Sequence, residues 1–267
     1  MTHGSPLPVT FALAVVATVY LRGWFRLRNG FPAVILMRRA AAFMGGLLVV
    51  WIATASPLAM LDHHLLTIHM VKHLLLMTVA APLILWGTPV PPLMSGVPGW
   101  LHLDLLFRRL PAQWIGRFLS HPVVCWLAAA VTVIGWHIPA LFELALGSHA
   151  WHHVEQLTFL LAGLLFWWPV VQPWPSSASP QQWVVPLYLF LATLPCDILS
   201  AFLVFCGRVV YPSYLAAPQV FQLSPMQDQE FAGALMWVSV TLIYATPAAV
   251  IMLRNLSPKV QHATERV

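Results

Sequence analysis

Seven stretches of this chain are long and apolar enough to cross a lipid bilayer, and this constrains the fold more than any other feature. They run roughly 6–22, 40–60, 67–86, 122–146, 153–172, 183–206 and 230–252. A chain in hydrocarbon has to satisfy its own backbone hydrogen bonds, so each stretch is expected to be helical. Only 8% of the 267 residues are charged, against about 25% in a soluble domain. The expected fold is therefore all-α: a polytopic transmembrane helix bundle of about seven spans, with residues 1–267 as a single integral membrane domain in the lipid bilayer. The first stretch, Pro6 to Tyr20, has no basic residue ahead of it and no clear cleavage site, and reads as a retained span. A net charge of +5 does not point to nucleic acid, because the basic residues form no patch interleaved with aromatics.

Those basic residues orient the bundle instead. Arg22, Arg26, Arg28, Arg38 and Arg39 separate spans one and two, and Arg108, Arg109 and Arg117 separate spans three and four. Arg254, Lys259 and Arg266 follow span seven. With seven spans all eleven fall on one side, leaving Lys72 and Arg208 for the other. The positive-inside rule then predicts an outer N-terminus and a cytoplasmic C-terminus.

Some helix ends are legible. Ser224-Pro225-Met226-Gln227 reads as an N-cap serine, a first-turn proline and a capping-box glutamine ahead of span seven. Pro139 cannot donate to the carbonyl of Gly135, which predicts a kink in span four just after His137. The long 87–120 connection carries tryptophans and leucines among arginines, and suggests a short interfacial helix. Most tryptophans, Trp167 and Trp168 included, are expected in interfacial belts.

Twelve histidines are many for so apolar a chain. With the topology above, His63, His64, His69, His73, His137, His149, His152 and His153 all belong to outer loops or outer halves of spans. His69 and His73, four residues apart, share a helix face, and Met77 continues that face one turn deeper. Imidazole with thioether suits copper better than magnesium or calcium. The plain alternative is two interfacial histidines bonded to neighbours, with Met77 as core filler. His137 is placed either to take up a carbonyl freed by the kink or to act as a ligand. His149, His152 and His153 surround the turn into span five, ahead of Glu155 and Gln156.

The candidate metal residues are thus His69, His73 and His137 with His152 or His153, with Met77 as a softer contact and Asp228 near the mouth of span seven. Asp228 either orients a ligating histidine or complements the helix dipole. Asp197, beside Cys196 near mid-membrane in span six, is expected to be buried against neighbouring helices. Three cysteines without a C-x-x-C pair indicate neither a disulfide scaffold nor a zinc ribbon. No hydrolase elbow, phosphate loop or H-E-x-x-H occurs, so no enzyme activity is expected.

Several motifs together resemble the CtaG-type cytochrome c oxidase assembly factors of the seven-span kind, from about residue 45 to 250. They are His69-Met70-x-x-His73 with Ala81-Pro82 and Gly87, Trp136-His137-x-Pro139, and Trp151-His152 with Glu155. Phe166-Trp167-Trp168-Pro169, Tyr211-Pro212-x-Tyr214 and Asp228-Gln229-x-x-Ala232-Gly233-x-x-Met236-Trp237 complete the series. Two positions depart from the family pattern: Gln156 stands where a histidine often follows the glutamate, and Lys72 where an uncharged residue is usual. The resemblance implies a multi-pass protein of the inner cell membrane that acts in maturation of haem-copper oxidases at the copper-insertion step. Its partners would be cytochrome c oxidase subunits and a periplasmic copper donor. From the residues alone two other functions stay open: a copper or proton transporter or channel using Asp197, Cys196 and Met77, and a membrane cytochrome b with histidines on facing helices.

Overall fold

The computed structural model describes residues 6–28, 30, 36–98, 121–172, 183–216 and 222–256. Helix α1 covers Leu7–Leu27, α2 Met37–Ala55, and α3 Leu66–Trp86 with a wide π turn at Leu75–Ala80. A short α4 follows at Val90–Gly96. Helices α5 (Pro122–Trp136) and α6 (Pro139–Gly147) form one stretch bent by 75°. Then come α7 (His149–Val171), α8 (Val184–Phe205) and α9 (Pro225–Leu256). Short 3-10 turns occupy Pro57–His63 and Pro212–Leu215. No strand occurs among the described residues. Among the described residues six helices qualify as spans, and a seventh if the bent pair is counted as one, so the chain is a multi-pass helical membrane protein. The expected interfacial helix near 100–118 lies outside the described residues.

Span ends shift by a few residues from the expected ones. The last helix opens at Pro225, where the capping box expected from the sequence forms: Ser224 N–H donates to Gln227 Oε1 at 3.0 Å and Gln227 N–H to Ser224 Oγ at 3.3 Å. Helix α3 is the hub. Over half of its apolar window (56%) is buried by protein, against 17% for α1 and α9, and it packs on α2, α7 and α9. Phe11, Val131, Ile198, Phe205 and Leu242 point outward, as side chains in contact with lipid tails do.

Two irregularities position the polar residues. In α3 the π turn precedes Pro82, which has no N–H to give. Ala81 N–H bonds back to Leu76, so the Met77 carbonyl would next need Pro82. Trp167 supplies the missing donor through its indole at 3.0 Å. Trp167 is therefore a buried strut of the core and does not belong to the expected interfacial belt. The approach depends on Gly163, where an added Cβ would lie 2.9 Å from Met77 Cα.

The second irregularity is the break at His137-Ile138. Ile138 N–H turns back to Gly135 at 3.1 Å and His137 N–H to Ile134 at 3.2 Å. The Val133 carbonyl thereby loses its helical partner, and His137 Nδ1 takes it at 2.6 Å. His137 thus caps a carbonyl freed by the break, that of Val133, two residues before Gly135.

Candidate metal centre

At the histidine-bearing end of the bundle, α3 and α7 face each other and bury an unusually polar cluster. From α3 come His69, Lys72 and His73, and from α7 His152, Glu155 and Gln156; Asp62 enters from the turn between α2 and α3. Spacings of three and four along each helix put each set on one face. His69 and Glu155 are fully buried.

The cluster has two halves. In one, His69 Nε2 and His73 Nε2 lie 3.3 and 3.5 Å from Glu155 Oε1. The three ligand atoms lie within 4.8 Å of one another. Ring centroids of His69 and His73 are 4.4 Å apart, and His73 stacks on Phe159. In the other half, Lys72 Nζ is ion-paired with Asp62 and lies 3.1 Å from His152 Nε2. His152 Nε2 is also 3.0 Å from Asp62 Oδ2 and 2.7 Å from Gln156 Nε2. Asp62, His69 and His152 form a second group of three ligand atoms within 4.8 Å. Burial would raise the Asp62 carboxyl, but the His152 hydrogen bond and the Lys72 ammonium outweigh it and hold the group well below the usual carboxylate range. At the rim, burial lowers the half-buried imidazole of His63 from its ordinary value.

The donors fit a transition-metal ion. Two imidazole nitrogens and a carboxylate oxygen from two packed helices suit zinc, copper, iron or nickel. Among the described residues, His69 Nδ1, His73 Nδ1, His152 Nδ1 and Glu155 Oε2 are buried with no hydrogen-bond partner, a costly arrangement in an apolar interior. His152 Nδ1 is 3.3 Å from Glu155 Oε2, too poorly aligned for a bond.

The expected site residues separate into groups. His69, His73 and His152 meet. His137 stands beside them with its ring centroid 6.3 Å from His73; Nδ1 is used on Val133, and Nε2 faces Met70 Sδ at 3.2 Å. Met77 lies deeper. With Met70, His73, His137 and Cys196 it lines a cavity of about 50 Å³ running from the cluster into the bundle. His153 does not join the cluster. It is exposed, because it follows His152 by one residue and so points about 100° further round α7, and with His149 it borders a vestibule of about 70 Å³ that reaches Asp62, Lys72 and His152. Asp228 is not at the cluster either. Its carboxylate accepts from Leu66 N–H at 2.6 Å, Thr67 N–H at 3.1 Å and Thr67 Oγ1 at 2.6 Å, capping the start of α3 from α9. An anion at a helix N-terminus meets the positive end of its dipole. Asp197 is half-buried rather than enclosed, with Oδ1 buried and unpartnered, and stays apart from the cluster.

Sequence reasoning did not include Glu155, Asp62 or Lys72 among the ligating or ligand-pairing groups. The His152-x-x-Glu155 spacing marked a shared face, and an intramembrane lysine calls for a buried carboxylate partner. The paired tyrosines of the 211–214 segment hold the frame: Tyr211 donates to the His137 carbonyl at 3.1 Å and Tyr214 to that of Asp62 at 2.8 Å.

A protein of Mycobacterium leprae is 23% identical over 254 residues, covering 86% of this chain and 36% of that one. Proteins of Mycobacterium bovis and Mycobacterium tuberculosis are each 22% identical over 245 residues, covering 84% of this chain and 34% of theirs. All three carry the description "uncharacterized protein", and the chain spans about a third of their length. No solved structure matches the chain. The family model of the cytochrome c oxidase caa3 assembly factors (Caa3_CtaG) matches residues 18–257, a range that includes every residue of the cluster. The chain belongs to that family, the cytochrome c oxidase caa3 assembly factors.

Proposed function

We propose that this protein is a non-enzymatic assembly factor of the inner membrane that takes up copper at His69, His73 and Glu155 and passes it to a cytochrome c oxidase subunit. One observation carries the reading: two imidazoles and a carboxylate, buried and converging from α3 and α7, with partnerless polar atoms around them. The charge distribution along the sequence supports an outer position for this end of the bundle. There the vestibule bordered by His63, His149 and His153 faces a periplasmic donor. A haem reading has less support, because His137, the axial partner it would take from a facing helix, spends Nδ1 on the Val133 carbonyl at 2.6 Å and turns Nε2 to Met70 Sδ at 3.2 Å.

The test combines His69→Ala with His73→Ala. Purified protein in lipid nanodiscs is titrated with Cu(I) against a chromophoric chelator. Losing a group behind a ligand costs ~10–100-fold in metal affinity, so losing two ligands should cost at least about 100-fold. In cells at limiting copper, the same variant should leave the oxidase without its copper. Wild-type copper affinity together with normal oxidase maturation would overturn the reading.

A further inference from the structure

The ammonium of Lys72 lies inside a group of metal-type ligands. Asp62, His69 and His152 satisfy the same geometric condition as His69, His73 and Glu155, yet Lys72 Nζ is paired with Asp62 and lies 3.1 Å from His152. Lys72 is only 2% exposed and is tied down by that pair. It lines the vestibule together with Asp62 and His152. The donor set by itself does not single out one ion, since imidazole suits zinc and copper alike while the carboxylate adds a donor that zinc also accepts.

Charge does choose. Leaving the imidazoles out of the count, the side chains of Asp62, Glu155 and Lys72 give the buried cluster one net negative charge. A monovalent ion brings it to zero. A divalent ion leaves a positive charge in a low-dielectric interior, where an uncompensated charge is costly. We propose that Lys72 is a fixed internal cation that fills the Asp62–His152 half of the cluster and makes the His69–His73–Glu155 half selective for a monovalent over a divalent transition-metal ion, Cu(I) over Zn(II). Lys72 touches no ion in this role; it is a positioning and selectivity residue. The inference rests on the proposed metal site.

The experiment measures the ratio of Cu(I) to Zn(II) affinity in nanodisc-embedded full-length protein at fixed pH, by chelator competition for each ion. Only the binding abolished by His69→Ala with His73→Ala is counted. A unit charge at about 6 Å in an effective dielectric of about 20 is worth a factor of about 100. Lys72→Gln should therefore move the ratio about 100-fold toward Zn(II). Lys72→Arg keeps the charge and should leave it near wild type. Asp62→Asn with Lys72→Gln removes both charges, retains one net negative, and should also stay near wild type. Should Lys72→Gln fail to fold, Asp62→Asn alone carries the test, with the ratio moving about 100-fold toward Cu(I). A merely structural lysine would give the single and double variants the same ratio, and that result overturns the inference while the metal site stands. If wild type binds neither ion, the proposed metal site falls and the inference falls with it.

Discussion

The two halves of the buried cluster both set imidazole against a carboxylate, but only one of them also holds an ammonium. Around Asp62, Lys72 and His152 each charge has an opposite partner in direct contact, and Gln156 takes a further position on the imidazole. Around Glu155, two imidazoles share one oxygen at 3.3 and 3.5 Å while neighbouring polar atoms have no partner. The difference lies in the internal ammonium, which pairs with Asp62 in one half and leaves the carboxylate of the other with imidazoles alone.

The sharpest way to break this comparison is Asp62→Ala. It strands the Lys72 ammonium in the interior, and removing one partner of a buried ion pair costs about 3–5 kcal/mol. Thermal unfolding in nanodiscs should record that loss; an unchanged midpoint would mean that the pair does not support the fold. Glu155→Gln addresses the other half and should separate stability from binding. Its contacts are longer than the ~2.7–2.9 Å of a charge-assisted bond, so the stability cost should stay near ~1 kcal/mol. Cu(I) affinity, read by chelator competition, should still fall by about 100-fold, the order expected for losing a donor. A large unfolding penalty with unchanged affinity would reverse the assignment of the two halves. The smallest effect is expected away from the cluster. Trp167→Phe leaves the Met77 carbonyl without its donor. Interhelical hydrogen bonds in membranes average ~0.6 kcal/mol, so a slight drop in midpoint with intact Cu(I) binding is expected. Lost binding there would mean that the π turn itself shapes the site.

Much of this architecture was legible beforehand because its causes are local. The capping box at Ser224 depends on residues three apart, and the bend after His137 follows from a proline without an N–H. Pairing histidines four apart on α3 needed only helical periodicity. Placing Asp228 and Trp167 depended on other helices. Asp228 caps a helix 162 residues away in sequence, and Trp167 answers a carbonyl freed by a proline on α3. Neither partner has a spacing that a single sequence displays.

By itself, then, the sequence determined that the chain crosses the membrane about seven times and that its histidines gather toward one end. Apolar length, helical period and proline chemistry act over a few residues. Only the tertiary structure decided that Glu155 rather than Asp228 faces His69 and His73, that His153 turns away, and that Lys72 reaches Asp62. Those outcomes depend on how α3, α7 and α9 rotate against one another, and rotation is set by close packing at positions such as Gly163, where one added carbon would crowd Met77.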